Sequence, residues 1–216
     1  MSNQKTPNRC RIVLIAPPPG PDVAARLEAA LTGGDVASLI VPGYDADEAT
    51  FQDHAERLTR IAQAANVATV IAGEPRIATR VQADGMHLEG NADDLAAAIE
   101  KYQSKMMVGC GAIKTRDDAM ALGEAEPDYV FFGKFGYDNK SEPHPRNLSL
   151  GTWWSEMMQI PCIVLAGADI ASVVDVAKTG ADFVAVGAAV FAGEKDPAKM
   201  IAEANALLDA SAPRFE

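Results

Sequence analysis

Gly180-Ala181-Asp182-Phe183-Val184-Ala185-Val186-Gly187 decides the fold, because the chain repeats its plan twice more. Ala83-Asp84-Gly85-Met86-His87-Leu88 and Pro127-Asp128-Tyr129-Val130-Phe131-Phe132-Gly133 follow the same order. In each, a helix-like segment stops, an Asp makes the turn and a short apolar run follows. Such runs, alternating with helix-periodic segments, mark parallel strands buried on both faces and joined by crossover helices.

Outward from these three stretches the alternation fills the chain. Strands are expected at residues 11–16, 37–41, 68–72, 85–88, 106–110, 129–132, 162–166 and 183–186. Between them apolar residues fall at helical spacing; in 47–65, Phe51, Ala55, Leu58, Ile61 and Ala62 share one face. Further helices are expected at 22–31, 76–82 and 93–103, from Thr115 as N-cap, and at 153–159, 171–179 and 197–209. Eight strands in strict alternation with helices imply one (β/α)8 TIM barrel, a single domain over residues 1–216. Pro17-Pro18-Pro19-Gly20-Pro21 then closes a strand rather than linking two domains. Residues 134–151, rich in Pro, Asn, Lys and Ser, are expected as a long flexible loop, a lid or binding loop.

With 48% hydrophobic residues, a chain of 216 residues supports one sizeable core and no long inserted domain. The formal net charge is −11 and no basic run stands out, which argues against nucleic acid and anionic membrane as main partners. An acidic chain still binds phosphate through local backbone amides. No stretch reaches the roughly 18–20 apolar residues of a membrane helix. The polar start, residues 1–9, lacks a signal-peptide core, so a cytoplasmic location is expected. Cys110 and Cys162 fall in or beside strand runs and read as buried thiols; with Cys10 they give no zinc spacing.

From Ala83 onward the motifs resemble those of thiamine phosphate synthase and its relative, the TenI-type thiazole tautomerase. Ala83-Asp84-Gly85-Met86-His87-Leu88 is similar to that family's Ala-Asp-Gly-Val-His-Leu. Val108-Gly109-Cys110-Gly111 resembles Ile-Gly-Val-Ser, and Ile160-Pro161-Cys162-Ile163-Val164-Leu165-Ala166-Gly167 resembles Ile-Pro-Val-Val-Ala-Ile-Gly-Gly. Pro127-Asp128-Tyr129-Val130 with Gly133, and Gly180 to Val186, match in the same way. The resemblance implies a reaction of thiamine biosynthesis. Hydroxymethylpyrimidine diphosphate loses pyrophosphate with Mg²⁺ assistance, and the nitrogen of a thiazole phosphate attacks the resulting cation. It also makes a homodimer a reasonable expectation.

The thiazole-phosphate cradle that the resemblance implies maps to Gly167 and Ala168 after strand 7 and to Gly187 and Ala188 after strand 8. Two glycines there let backbone amides approach an anion, or simply make tight turns. The diphosphate half departs from the pattern. Where the family has Gln-x-Arg-x-Lys this chain reads Leu39-Ile40-Val41-Pro42-Gly43, and where it has Asn-Asp, with the Asp a Mg²⁺ ligand, it reads Ala72-Gly73. Asp93 stands one place late for the next metal ligand. The family's Ser after strand 5 is Gly111, and the tautomerase's histidine position is Ile113. Of Thr-x-Thr-Lys after strand 6, only Lys140 keeps its type.

Polar residues at strand ends are the site candidates on a barrel. Here they are Asp45, Glu74, Arg76, His87, Glu89, Lys134, Lys140 and Asp169. His87 reads as a hydrogen-bonding scaffold residue, or with Glu89 as an acid/base or weak metal pair, since i and i+2 point the same way. Lys134 reads as a contact to an anionic ligand, a solvated side chain, or an amine nucleophile. Asp169 reads as a helix cap. Of Trp153-Trp154, one packs and the other covers the barrel or a neighbour. Three functions stay open: the synthase reaction, a non-catalytic barrel binding a phosphorylated metabolite, and different chemistry on Lys134, His87 and Glu89.

Overall fold

A computed structural model describes residues 6–215; the first five residues of the polar start lie outside it. The strands are β1 (Arg11–Ile15), β2 (Ser38–Pro42), β3 (Ala68–Ala72), β4 (Gly85–Leu88), β5 (Met107–Cys110), β6 (Tyr129–Phe132), β7 (Cys162–Leu165) and β8 (Phe183–Val186). All pair in parallel with their sequence neighbours, and β8 returns to β1, so the sheet closes into a barrel. The helices are α1 (Val23–Leu31), α2 (Glu48–Ala64), α3 (Pro75–Arg80), α4 (Ala92–Tyr102), α5 (Arg116–Gly123), α6 (Pro145–Met157), α7 (Val173–Ala177), α8 (Ala188–Phe191) and α9 (Pro197–Ser211). This is the expected (β/α)8 barrel.

Three differences from the sequence expectations have local causes. The expected loop over 134–151 ends at residue 144, because Pro145 occupies the first turn of α6 with His144 as its N-cap. Pro at that position has no N–H to leave unsatisfied and a φ already suited to a helix. The expected helix over 171–179 is a 3-10 turn at Ile170–Ser172 followed by the short α7. The four-residue α8 has no sequence expectation at all, being too short to show a period.

The repeated Asp has a defined job. Asp84 accepts from the Thr69 N–H at 2.8 Å, Asp128 from Val108 N–H at 2.7 Å, and Asp182 from Cys162 N–H at 2.8 Å. Each carboxylate clasps the amide at the start of the preceding strand. Two residues before each Asp the chain turns left-handed, at Gln82 (φ 55°), Glu126 (φ 57°) and Gly180 (φ 82°). A left-handed residue closes a helix and redirects the chain. Replacing Asp128 by Ala strands a buried amide and is expected to cost about 1–3 kcal/mol. Urea unfolding measures this, and an unchanged midpoint at unchanged slope overturns the assignment.

The core has two layers, as strand alternation requires. One lies between sheet and helices and holds Ile12, Leu14, Leu39, Met86, Val108, Phe132 and Val164. The other fills the barrel with Val13, Ile15, Ile40, Val70, Tyr129, Phe131, Ile163, Leu165 and Ala185. The three cysteines are buried and unpaired; burial pushes the Cys110 and Cys162 thiols up to about 12, as expected of structural cysteines. Among the described residues no helix is long and apolar enough to cross a membrane.

Candidate functional site

At the C-terminal ends of the strands the barrel opens into a cavity of about 670 Å³. The tops of β2, β3 and β4 supply Pro42, Ala72 and His87, and the following loops supply Tyr44, Asp45, Glu74 and Glu89. The β6–α6 loop closes it with Lys134, Phe135 and Tyr137. Its three carboxylates, Asp45, Glu74 and Glu89, therefore share the lining with a single ammonium, that of Lys134.

His87 lines the floor, and below it the barrel interior holds a buried His–Tyr pair. Nδ1 of His87 lies 3.0 Å from the Tyr129 hydroxyl, and both side chains are buried. Strand β5 makes room for them: a Cβ at Gly109 would enter the Tyr129 ring, and one at Gly111 would stand 2.6 Å from His87 Nε2. Glycine at alternate, inward-facing positions is thus what lets two large rings share the barrel interior. The imidazole tautomer sets which of the two groups donates in this bond. Nε2 has no partner among the described residues. Burial pushes the imidazole down to about 3, so the ring is neutral at physiological pH.

Sequence reasoning pairs His87 with Glu89, but the two are not hydrogen-bonded among the described residues. Glu89 stands at the rim; partial loss of water raises its carboxyl, and Lys134 opposes that rise. The Lys134 ammonium lies 3.9 Å from the centre of the Tyr137 ring and draws the phenol pKa down. Asp93 is exposed in the first turn of α4, where its charge suits the helix dipole, and it does not line the cavity. Among the described residues no three His, Cys, Asp or Glu side chains assemble into a metal site. The residues present do not fit the Mg²⁺ that the resemblance implies, since neither expected ligand position carries a carboxylate at the mouth.

The Gly167–Ala168 and Gly187–Ala188 turns are occupied by the protein's own β6–α6 loop. Ala188 N–H donates to the Asp138 carboxylate at 2.6 Å, and Ala168 N–H donates to the Lys140 carbonyl at 2.6 Å. A Cβ at Gly187 would lie 2.7 Å from Asp138, and one at Gly167 would overlap the Ser141 carbonyl. The glycines thus admit an internal carboxylate and the backbone of the loop that carries it. Lys195, which sequence reasoning missed, ties the two turns together: its ammonium donates to the carbonyls of Ala168 (2.9 Å), Ala189 (3.2 Å) and Ala188 (3.3 Å). Asp169 does cap, accepting from Ala171 N–H at 3.0 Å. Neither Asp138 nor Lys195 stands at a strand end, so no positional signal singles them out.

Comparison with known proteins agrees with this architecture. A family model described as thiamine monophosphate synthase matches residues 12–190. The chain is 33% identical to a thiamine-phosphate synthase of Rhodospirillum centenum over 202 residues, covering 92% of this chain and 98% of the relative. It is 33% identical to a thiamine-phosphate synthase of Hyphomonas neptunium over 212 residues, 94% of this chain and 96% of the relative. The structure of a thiamine phosphate pyrophosphorylase from Pyrococcus furiosus superposes with a TM-score of 0.77 at 20% identity, covering 94% and 98% of the two chains.

Proposed function

This chain belongs to the thiamine monophosphate synthase family, and from that premise we propose that it binds a small phosphorylated metabolite at the barrel mouth without the family's Mg²⁺-assisted diphosphate step. The charge of the mouth cavity carries this reading. A departing diphosphate needs several cations or a bound metal to take up its charge. Asp45, Glu74 and Glu89 against Lys134 alone offer the opposite balance. Removing even one transition-state donor typically costs about 10²–10³ in rate. The positions lost here include the Arg, the Lys, the metal-binding Asp and the Ser. What the cavity suits is the ring of a ligand, against Phe135, Tyr44 and Tyr137, with acidic groups for ring nitrogens or an amine. His87 lines the floor of that cavity, and Lys134 supplies its cation.

The test is turnover. Purified protein mixed with hydroxymethylpyrimidine diphosphate, thiazole phosphate and Mg²⁺ is expected to form no thiamine phosphate above the uncatalysed background. Thiazole phosphate alone is expected to raise the melting temperature. Turnover that a chelator abolishes would overturn the reading and return the chain to ordinary synthase chemistry.

A further inference from the structure

The end of the barrel opposite the mouth is not sealed. A cavity of about 260 Å³ enters between the N-terminal ends of the strands, and the first residues of β1, β2, β3, β5, β6 and β8 line it. Its inner walls are the buried side chains of Val13, Ile40, Val70 and Ile163, with the Tyr129 ring. In barrels of this kind layers of large branched side chains ordinarily fill the interior. Here Ser38 and Ala68, paired across β2 and β3, are too small to complete the last layer. Met107 and Phe183 line the same space and stay only partly buried, although they pack against the inner core.

The lining decides what such a space takes up. Four of the five inner walls carry no polar side-chain atom, and the Tyr129 hydroxyl is already hydrogen-bonded to His87 at 3.0 Å. The charged groups are engaged: Arg11 is bound at two points to Asp35, at 2.9 and 2.7 Å, and Asp128 accepts the Val108 N–H at 2.7 Å. An anion would lose its water here without gaining a free counter-charge, and a cation would meet apolar walls beyond Asp128. An uncharged ring fits. Tyr129 and Phe183 offer aromatic surface and Met107 a polarizable thioether. An apolar cavity of roughly 150 Å³ takes up benzene, so 260 Å³ has room for one or two rings. It has no room for a helix of a partner, which is about 10–12 Å across.

We propose that this cavity is a binding site for a small uncharged aromatic molecule of one or two rings. The site stands independently of the reading under Proposed function, because it shares no lining residue with the mouth cavity. The two ends are nevertheless adjacent through one hydrogen bond. Tyr129 lines this cavity, its partner His87 lines the mouth, and an occupant of the lower space therefore lies against one member of that pair.

The test is a titration of the whole chain with indole, followed by methyl and aromatic NMR. Saturable shifts are expected at the Val13, Val70 and Ile163 methyls and at the Tyr129 ring, and benzoate, an anionic ring, is expected to produce none of them. Ala68→Phe fills the space and is expected to weaken indole binding roughly tenfold or more, since a packed interior has no place for a second ring. Ser38→Leu fills it from the neighbouring strand with the same expected loss, and covers the case in which Ala68→Phe disturbs the barrel. Urea midpoints report whether each variant keeps the fold. The absence of saturable shifts would overturn the proposal. So would shifts centred on Phe135 and Tyr137 at the mouth, benzoate binding as well as indole, or parental affinity in a folded variant. None of these results depends on turnover, so this site and the non-synthase reading fail separately.

Discussion

Between about pH 7 and about pH 4.5 the folded state is expected to lose about 3 kcal/mol of stability, with His87 as the main cause. The sign follows from the direction of its shift. In the unfolded chain a histidine takes up its proton near pH 6.5, whereas the buried His87 resists protonation down to about 3. In that window the unfolded state binds more protons, so stability is full above pH 6.5 and falls as acid is added. His54, buried with Nε2 3.2 Å from the Pro17 carbonyl, is shifted the same way and adds a smaller share. The lowered carboxyls of Asp47, Asp118 and Asp209 act in a different window, since their contributions disappear only as pH falls below the ordinary carboxylate range. Urea unfolding of the parent and of His87→Asn across this range separates the causes. The variant is expected to be less stable at pH 7 and to lose most of the slope. A variant with the parental slope would show that His87 is not buried and neutral.

The other large effect concerns Trp154, whose replacement by Ala is expected to cost about 3–5 kcal/mol. Trp154 is completely buried between α6 and the sheet, 5.9 Å from the Phe132 ring. Its indole N–H donates to the Ile160 carbonyl at 2.8 Å, which fixes the turn leading into β7. Neighbouring Trp153 is only partly buried and carries the Arg116 guanidinium 5.0 Å above its ring. Trp153→Ala is therefore expected to cost about 1 kcal/mol, a packing and cation–π loss at a wet surface. Denaturant midpoints of the two variants check the contrast. Equal losses would mean that the two rings share the burial, against the geometry found here.

The fold was readable because its rules are local and periodic. Asp84, Asp128 and Asp182 recur with the same neighbours, and β3, β4, β6 and β8 have the bounds the sequence suggests. Thr115 caps α5 as the sequence indicates, and the structure adds a reciprocal bond from Asp118. The mouth was readable only in part. His87, Glu89 and Lys134 do line one cavity, as their strand-end positions suggest. What escaped the sequence depends on how the β6–α6 loop folds back. Asp138 reaches Ala188 across a separation of 50 residues, and no periodicity records such a contact.

The Asp clasps have a consequence for how such a barrel changes over time. They tie strand to strand at the rim opposite the mouth, and none of the residues they join lines the mouth cavity. Substitutions around the ligand therefore leave the interactions that hold the strands together almost untouched. Selection can exchange a cation for a carboxylate at the mouth at little cost to folding, while every loss of a clasp is felt at once. Ancestry is thus written on one end of this molecule and occupation on the other, and the two accumulate differences at separate rates.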